Sequence, residues 1–389
     1  MANLENSLII KNCNLLTSLQ REELINVTIR DGRIAWIGTT LPETPELPAF
    51  DAEGCYVAPG FIDIHIQGAG GADILDGTLE ALRTISRTIA RFGVTGFLAT
   101  TVYRTRGNNN HLRIAAEAEG KELGGARLLG IHIEGPFISP EMRGMILPGC
   151  ITAPSKRVLD EILELTGSSL KIMTIAPELD GSLEIITRLR DLGVIPSFGH
   201  SNATYEETIK GVDAGISHVT HLFNAMTPFH HRAPGPLPAI LESKSKSVQA
   251  IGDGVHIHPG VLKLAFNLFG EQRCIPITDG MQAMGLEDGI YTYNGIEYEA
   301  RGGVARYRDG KLIGTAVGMN EILKRIMLYT GIPLSSIVKT ASLNPSRLLR
   351  LEDRKGSIEA GKEGDLVVFD ENLSIRATIV NGRIVYSAK

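Results

Sequence analysis

The sequence predicts an α/β protein in which a TIM-like (β/α)8 barrel carries a small β-sandwich domain formed by both termini. Three observations lead to this fold class. The middle of the chain alternates short apolar runs with helical patterns, and each end contains a hairpin pattern. The length of 389 residues is also enough for one large barrel core and a second, smaller unit.

The two ends of the chain resemble each other. VTIRDGRIAWIG (27–38) and ATIVNGRIVYSA (377–388) each contain two alternating apolar runs, separated by Asp-Gly in the first and Asn-Gly in the second. These pairs favour two-residue hairpins because both central residues must take positive φ. With a further strand expected over 365–369, the pattern predicts one sandwich domain built from residues 1–55 and 357–389. Two unrelated hairpins would give the same pattern.

The middle of the chain, residues 56–356, is expected to form the barrel. The candidate strands lie near 57–64, 94–101, 127–133, 170–175, 194–199, 217–221, 247–253 and 274–278. Eight strand–helix units over about 300 residues suit a closed barrel better than an open doubly wound sheet, which remains the alternative. No GxGxxG follows the first strand and no GxxxxGK[ST] occurs, so nucleotide binding has no support.

Composition excludes several classes of protein. With 44 acidic and 39 basic residues the net charge is −5, which argues against a broad nucleic-acid or anionic-membrane surface. No window reaches 18 uncharged apolar residues, so no membrane-spanning helix is expected. The first ten residues, MANLENSLII, do not resemble a secretory signal. The four cysteines are scattered without a CxxC pair, as expected for reduced thiols in a cytoplasmic protein.

Carboxylate and imidazole residues fall at the ends of several expected strands, where barrel enzymes carry their catalytic groups. Glu134, His200 and His221 form a mixed oxygen and nitrogen set that zinc accepts, leaving one position open for water. Water bound to such a metal has a pKa of about 7 and supplies a hydroxide nucleophile at neutral pH. Asp279 would take the proton and return it to a leaving amine. Any one of these histidines could be a polar loop residue, but the set favours a metal site.

Several motifs resemble those of the N-acetylglucosamine-6-phosphate deacetylases, within the amidohydrolase superfamily. The matching segments are HIEGPF (132–137), GHS (199–201), HLFNAM (221–226), HHR (230–232), DGVHIHP (253–259) and ITD (277–279). The resemblance covers essentially the whole chain. It implies metal-dependent hydrolysis of the acetamido group of N-acetyl-D-glucosamine 6-phosphate, giving glucosamine 6-phosphate and acetate.

The resemblance also implies roles for individual residues and a homodimer. Glu134, His200 and His221 match metal ligands, and Asp279 matches the general base. The residues expected to hold the phosphorylated sugar are Asn224, Ala225, His256, His231 and Arg232, with a backbone contact from Met145. In family members the phosphate-gripping region, here His231 or Arg232, can reach across a dimer interface. Arginine suits that task because its planar fork pairs two phosphate oxygens.

Three departures from the family pattern bear on metal and substrate. Many members carry HxH after the first strand, whereas this chain has His65 and Gln67. Glutamine is a poor zinc ligand, so we expect one tight metal, with His65 either a ligand of a second, weaker metal or a supporting residue. Ile146 stands where relatives place a polar residue, and Ala233 replaces an acidic one, which leaves the substrate less certain than the reaction.

Other functions remain in competition at this stage. TDGMQAMGLEDGIY (278–291) and RGGVAR (301–306) look closer to N-acetylgalactosamine-6-phosphate deacetylases, although we keep the gluco epimer first. A catalytically silent phosphosugar-binding protein is a second alternative, against which the retained Asp279 argues. A cyclic-amide hydrolase or deaminase is weaker, because the fourth strand ends without the lysine that such enzymes often carry.

Overall fold

The computed structural model of the chain describes residues 4–16, 24–40, 47–243 and 246–388. The N-terminal strands are β1 Leu8–Leu15, β2 Ile25–Arg30, β3 Arg33–Gly38, β4 Ala49–Asp51 and β5 Tyr56–Pro59. Strands β2 and β3 form the hairpin expected from the Asp-Gly pair, and both turn residues take positive φ. Strand β1 pairs with β2 on one side and with β4 and β5 on the other.

The barrel follows directly, and its strands are parallel neighbours in chain order. The strands of this part of the chain are β6 Phe61–Ile66, β7 Gly68–Ala69, β8 Ala72–Asp73, β9 Val94–Thr101, β10 Arg127–Glu134, β11 Leu170–Ile175, β12 Ile195–Phe198, β13 His218–Val219, β14 Ser247–Ile251 and β15 Cys274–Ile277. Strands β7 and β8 form a separate two-stranded ribbon. A parallel bridge between Ile66 and Gly280 brings the last strand against the first, so the predicted barrel is confirmed.

Helices cover the outside of the barrel between successive strands. They are α1 Leu79–Ala90, α2 Asn110–Ala118, α3 Lys156–Thr166, α4 Ser182–Asp191, α5 Tyr205–Ala214, α6 Pro236–Glu242, α7 Pro259–Phe269, α8 Met319–Thr330 and α9 Leu334–Leu348. Thr78 caps α1 through the backbone N–H of Ala81, and the helix buries Leu82, Ile85 and Ile89 against the strands. Among the described residues no helix has the length and apolarity to cross a membrane.

An antiparallel sheet that the sequence patterns did not predict interrupts the barrel after β15. Its strands are β16 Gly289–Tyr293, β17 Ile296–Arg301, β18 Val304–Tyr307 and β19 Leu312–Thr315. Successive strands pair in order, and a parallel bridge between Gly280 and Thr315 attaches the sheet to the end of β15. We call these four strands the insert sheet. Its position brings the insert sheet to the same end of the barrel as the predicted site.

The C-terminal strands complete the first sheet. They are β20 Leu366–Phe369, β21 Ile375–Val380 and β22 Arg383–Ser387. Strand β20 pairs antiparallel with both β21 and β5, so strands from the two ends of the chain share one sheet. Apolar side chains from both ends, including Ile10, Val27 and Leu366, pack into one core. The prediction of a sandwich formed by both termini is confirmed, while the bounds 1–55 and 357–389 stay a prediction.

Candidate metal centre and active site

Glu134, His200 and His221 meet at the carboxyl ends of the barrel strands. Glu134 is the last residue of β10, His200 follows β12, and His221 follows β13. Glu134 Oε1 lies 3.0 Å from His200 Nε2 and 2.9 Å from His221 Nε2, and the two Nε2 atoms are 3.1 Å apart. All three residues are buried. The strand ends therefore direct one carboxylate and two imidazoles at a single point.

The hydrogen bond on the far side of His200 fixes the state of the nitrogen that faces this point. His200 Nδ1 lies 2.8 Å from the carbonyl oxygen of Met142, which can only accept, so Nδ1 carries the proton. Nε2 of the neutral ring then directs a lone pair at Glu134. Burial alone would raise the pKa of Glu134, but charge from His65 and hydrogen bonds from His200 and His221, when these rings are protonated, hold it well below its usual range.

This donor set fits a divalent cation. With both Nε2 atoms unprotonated, two lone pairs and a carboxylate oxygen converge in a buried site and repel one another unless a positive charge lies among them. Protonating both imidazoles would not remove the strain, because two cationic rings with nitrogens 3.1 Å apart also repel. One carboxylate and two imidazole nitrogens are a common ligand set for divalent transition metals.

His65 lies beside the cluster and is oriented by Gln249. Gln249 Oε1 accepts the backbone N–H of His221 at 3.1 Å, so His65 Nδ1, 2.9 Å away, must donate to the same oxygen. His65 Nε2 then faces Asp279 Oδ1 at 3.3 Å and Glu134 Oε1 at 3.6 Å. Among the described residues it has no hydrogen-bond partner.

Gln67 also reaches the cluster, through its amide nitrogen. Gln67 Nε2 lies 3.4 Å from Glu134 Oε2, and its buried Oε1 has no hydrogen-bond partner within the part of the chain that the structure describes. The side chain therefore contacts the predicted metal ligand Glu134 and points its donor at it. In this arrangement Gln67 supports Glu134, whereas His65 presents a free nitrogen to the centre.

Asp279 is held at the centre by its own backbone. Its N–H donates to the carbonyl of His65 at 3.0 Å, and its carbonyl accepts the N–H of Thr315 at 2.9 Å. Asp279, His200 and His221 all have positive φ, at 48°, 49° and 25°. Left-handed backbone is uncommon for such residues, and the strain it stores concentrates at functional sites. The loop geometry thus directs these side chains inward at a local conformational cost.

Asp63 ties the first and last barrel strands together beneath the cluster. It accepts the hydroxyl of Thr278 at 2.5 Å and the backbone N–H of His65 at 3.2 Å. Burial raises the pKa of Asp63 to about 6, and the hydrogen bonds from Thr278 and His65 oppose that rise. Asp63 therefore fixes the position of His65 and of the residue before Asp279.

A cavity of about 330 Å³ opens above the cluster and Asp279. Four of the residues predicted to hold the sugar line it: Met145, Asn224, Ala225 and His256. The insert sheet closes one side of the same cavity through Arg306 and residues 310–314. The cavity therefore combines the candidate metal ligands, the candidate base and most of the candidate sugar-binding residues.

His256 is oriented by Asp253, a partner that the sequence analysis did not single out. Asp253 Oδ2 lies 2.7 Å from His256 Nδ1, and its Oδ1 accepts the backbone N–H groups of Val255 and His256. Burial would raise the pKa of Asp253, but these contacts hold it below its ordinary value. The ionised Asp253 fixes the His256 ring so that Nε2 faces away from this carboxylate.

The other predicted residues lie outside the cavity. His231 and Arg232 are exposed and do not line it, and Arg232 Nη1 lies 2.8 Å from His231 Nε2. Ile146 packs into a small apolar cluster with Val102 and Ile138 and does not line the cavity. Ala233 is an exposed residue of the same loop as Arg232.

Sequence reasoning missed several residues that the structure brings to the site. Gln249 is a fully buried polar residue inside the apolar strand β14, and this contrast with its neighbours was an available signal. Arg306, the last residue of the RGGVAR segment, lies on β18, and Lys311 lies in the turn before β19; the insert sheet was not predicted, so neither was expected at the site.

The parallel barrel and the donor set at its strand ends are the arrangement expected of a metal-dependent barrel enzyme. The sequence profile of the amidohydrolase family matches residues 56–385, and the chain belongs to this family. Members of the family use a divalent metal, and the cluster of Glu134, His200 and His221 could hold one.

Close relatives agree with the resemblance drawn from the motifs. The chain is 37% identical to N-acetylglucosamine-6-phosphate deacetylase from Bacillus subtilis, over 98% of both chains. It is 32% identical to N-acetylgalactosamine-6-phosphate deacetylase from Escherichia coli O157:H7, over 92% of this chain and 93% of that one.

A solved structure is also similar over the full length. It is a mutant of N-acetyl-D-glucosamine-6-phosphate deacetylase from Mycobacterium smegmatis in complex with N-acetyl-D-glucosamine-6-phosphate. The TM-score is 0.89 at 30% identity, covering 98% of this chain and all of that one. The resemblance to N-acetylglucosamine-6-phosphate deacetylases is thus confirmed.

Proposed function

We propose that this protein hydrolyses the acetamido group of N-acetyl-D-glucosamine 6-phosphate, giving glucosamine 6-phosphate and acetate in amino-sugar catabolism. The observation that carries the proposal is the convergence of Glu134, His200 and His221 beside Asp279 in one cavity. The similarity over the whole chain to deacetylases of this substrate supports the choice of substrate.

Glu134, His200 and His221 would hold the metal, and we propose zinc in one tight site. When bound, such a cation supplies Lewis acidity and a hydroxide nucleophile at neutral pH. His65 is the candidate ligand for a second, weaker metal, because its Nε2 faces the same centre. The amide of Gln67, a weak ligand for zinc, argues against a second site of equal strength.

Asp279 would act as general base and then as general acid. Its carboxylate lines the cavity and lies next to the metal cluster, so it can accept a proton during attack on the acetamido carbonyl. The same carboxyl group then returns that proton to the departing amine. The backbone hydrogen bonds with His65 and Thr315 hold the main chain from which this carboxyl group projects.

Asn224, Ala225, His256 and the backbone of Met145 would bind the sugar. They line the cavity, and the bond to Asp253 presents His256 Nε2 as an acceptor for a sugar hydroxyl. Fixed hydrogen-bonding groups of this kind orient a small polar substrate in a pocket.

We propose that the protein is a homodimer in the cytoplasm. In this dimer His231 or Arg232 would bind the substrate phosphate at the cavity of the neighbouring copy. Both residues are exposed and lie outside the cavity of their own chain. Phe229, in the same loop, is 61% exposed, and a large apolar side chain of this kind suits an interface between copies.

The galacto epimer is the second candidate substrate. The E. coli O157:H7 relative named for it is 32% identical over 92% of this chain, within the 32–37% shown by relatives named for the gluco epimer. A silent phosphosugar-binding protein is less well supported, because binding alone does not call for a strained aspartate beside a metal cluster.

Acetate release from each 6-phosphate epimer by metal-loaded protein tests this function. We expect turnover of the gluco epimer, and Asp279→Asn should lower kcat by roughly 10²–10⁴-fold while metal content stays the same, since the variant loses proton transfer and keeps the ligands. Asp213→Asn is the matched control, because Asp213 is an exposed carboxylate on α5 outside the cavity, and its replacement should leave kcat unchanged. The absence of turnover with both epimers would remove the proposal, and full kcat in Asp279→Asn would remove the role of Asp279.

A further inference from the structure

We propose that a chain of buried hydrogen bonds inside the barrel positions the candidate metal ligands from beneath. The chain runs from Ser197 through Thr220 and Thr174 to His132, and we call these four residues the hydroxyl chain. The inference rests on the proposed function, because it assumes that the cluster of one carboxylate and two imidazoles holds a metal. It assigns a positioning role to residues that do not line the cavity.

The hydroxyl chain is continuous and fully buried. Ser197 Oγ lies 2.6 Å from Thr220 Oγ1, which lies 2.9 Å from Thr174 Oγ1. Thr174 Oγ1 lies 2.9 Å from His132 Nε2, and His132 Nδ1 lies 3.2 Å from the carbonyl oxygen of Ile64. All four residues are 0% exposed. Each polar group at this depth therefore depends on its neighbour in the chain for a hydrogen bond.

The hydrogen bonds of the chain have a single direction. A carbonyl oxygen can only accept, so His132 Nδ1 donates to the oxygen of Ile64. The buried ring has no carboxylate among its partners, so it is neutral and its Nε2 accepts the hydroxyl proton of Thr174. Thr174 Oγ1 then accepts from Thr220, and Thr220 Oγ1 accepts from Ser197. Removing the Thr174 hydroxyl would take away both the donor to His132 and the acceptor of Thr220.

The members of the hydroxyl chain lie close in sequence to the residues of the metal centre. Thr174 is opposite Glu134 in the register of β10 and β11. The other neighbours along the chain are His132 and Glu134 on β10, Ser197 on β12 and His200 after it, Thr220 and His221 after β13, and Ile64 and His65 on β6. The hydrogen bonds therefore cross-link the strands whose ends carry the carboxylate and the imidazoles.

His132 contacts the metal centre through the ring of His65. The two ring centroids are 4.8 Å apart and the rings meet edge to face at 76°. His65 Nε2, in turn, faces Glu134 and Asp279. Because Thr174 and the carbonyl of the residue before His65 hold both nitrogens of His132, the hydroxyl chain supports the face of the His65 ring.

The two threonines also support the backbone next to His200. Gly199 lies directly against them: a Cβ at this position would be 2.9 Å from Thr174 Cγ2 and 2.9 Å from Thr220 Cβ. Close-packed interiors transmit small displacements from one group to the next. A shift of either threonine would therefore move the backbone that places the His200 ring.

Packing alone does not call for hydroxyl groups at this depth. Barrel interiors are filled mostly by branched apolar side chains, and valine would occupy nearly the same space as threonine. A buried hydroxyl costs free energy unless it forms a hydrogen bond. A fully satisfied network of directional bonds, in return, holds its side chains in one arrangement. The hydroxyl chain thus gives the metal donors a rigid base.

Replacing a hydroxyl by a methyl group tests the proposal. We expect Thr174→Val to weaken zinc binding by roughly 10-fold, because groups that orient metal ligands contribute at least this much to affinity. Competition with a chelator measures the affinity, and the absorption spectrum of the cobalt-substituted protein reports the ligand geometry. Thr174→Ser keeps the hydroxyl and should retain most of the affinity. Ser197→Ala, at the end of the chain, should have a smaller effect than Thr174→Val.

Thr378→Val is the matched control, because Thr378 carries a buried hydroxyl in the terminal sheet, where it donates to Ala90 O at 2.7 Å. It should leave zinc affinity and the cobalt spectrum unchanged. Circular dichroism checks that each variant is folded, and Thr220→Val replaces Thr174→Val if the latter does not fold. Wild-type affinity and spectrum in the valine variant would overturn the proposal. Equal losses in Thr378→Val, or in Thr174→Ser, would also overturn it.

Metal binding separates this inference from the proposed function, because zinc affinity and cobalt spectra are measured without substrate. If the wild type releases no acetate from either epimer but Thr174→Val still weakens zinc binding, the proposed function fails and the positioning role stands. If the wild type releases acetate and Thr174→Val binds zinc as the wild type does, the proposed function stands and the positioning role is wrong.

Discussion

At the scale of single residues, the imidazoles of His200 and His65 are each oriented by a partner on the ring nitrogen that faces away from the candidate metal site. Met142 O fixes His200, and Gln249 Oε1 fixes His65 while also accepting the backbone N–H of His221. Such partners select the tautomer and turn a lone pair toward the metal. Gln249 therefore holds the ring of His65 and the backbone of His221 at once, although it is not one of the candidate metal ligands.

Replacing Gln249 tests this arrangement. Gln249→Leu should weaken metal binding by roughly 10–100-fold, because His65 and the backbone of His221 lose their common acceptor. Competition with a chelator measures the affinity, and Gln249→Glu, which keeps the acceptor oxygen, should recover most of it. Gln282→Leu, a glutamine outside the cavity, is the control. Wild-type affinity in Gln249→Leu would contradict a positioning role.

The sequence could predict the chemistry of the site but not its supporting contacts. Glu134, His200, His221 and Asp279 were found because polar residues at barrel strand ends converge whatever the details of packing. Gln249 meets His65 across 184 residues of sequence, a pairing that depends on the closed barrel and on the register of β14. No local pattern encodes such a contact.

At the scale of elements, strand β19 joins the insert sheet to Asp279. Its Gly314 has φ of +139°, and a Cβ there would lie 2.5 Å from the carbonyl oxygen of Asp279 and 2.9 Å from the side chain of Met281. Only glycine lets the two backbones approach so closely. The residue thus sets the distance between the insert sheet and the candidate base.

Gly314→Ala should therefore lower activity through displacement of Asp279. We expect a fall in kcat of at least roughly 10-fold, since a displacement of about 1 Å at a reacting group can cost up to 10²-fold. Gly302→Ala is the matched control, because it also has positive φ but has no atom within 4 Å of an added Cβ. Kinetics of both variants at matched metal content measure the difference, and equal losses would assign the effect to backbone strain alone.

The elements also mark where sequence patterns fail. The strand expected over 57–64 is divided at Gly60, so that Tyr56–Pro59 joins the terminal sheet and Phe61–Ile66 joins the barrel. A continuous apolar run carries no information about which of two sheets it enters. The insert sheet was missed because it interrupts the strand–helix alternation from which the barrel was predicted.

At the scale of the whole molecule, a buried ion cluster joins the sandwich to the barrel. Lys355 Nζ contacts Glu363 at 2.6 Å and also pairs with Asp365, and all three residues are buried. Arg127, on barrel strand β10, reaches Glu363 at 3.2 Å. Asp365 accepts the N–H of Asn381 in the C-terminal hairpin at 2.7 Å. The cluster therefore connects segments that no single element links.

Lys355→Met should destabilise the fold by roughly 3–5 kcal/mol at pH 7, because it leaves buried carboxylates without their shared cation. Burial alone would raise the pKa of Glu363, but Lys355, Arg354 and Arg127 hold it below its ordinary value in the wild type. A carboxyl group whose pKa is lower in the folded than in the unfolded protein stabilises the fold at pH values above its unfolded-state pKa. This stabilisation is lost as the pH falls through the folded-state pKa.

This linkage gives the variant a distinct pH dependence. Without Lys355 the pKa of Glu363 is depressed less, so the variant loses less stability than the wild type as the pH is lowered from 7 to 5. The difference in unfolding free energy between wild type and Lys355→Met should therefore shrink as the pH falls, as measured by urea unfolding at pH 7 and pH 5.

Lys156→Met is the control, because it breaks an exposed pair with Glu184 and should cost about 0–1 kcal/mol. A difference for Lys355→Met that is the same at pH 7 and pH 5 would mean that lost packing, and not the buried carboxylates, accounts for the destabilisation.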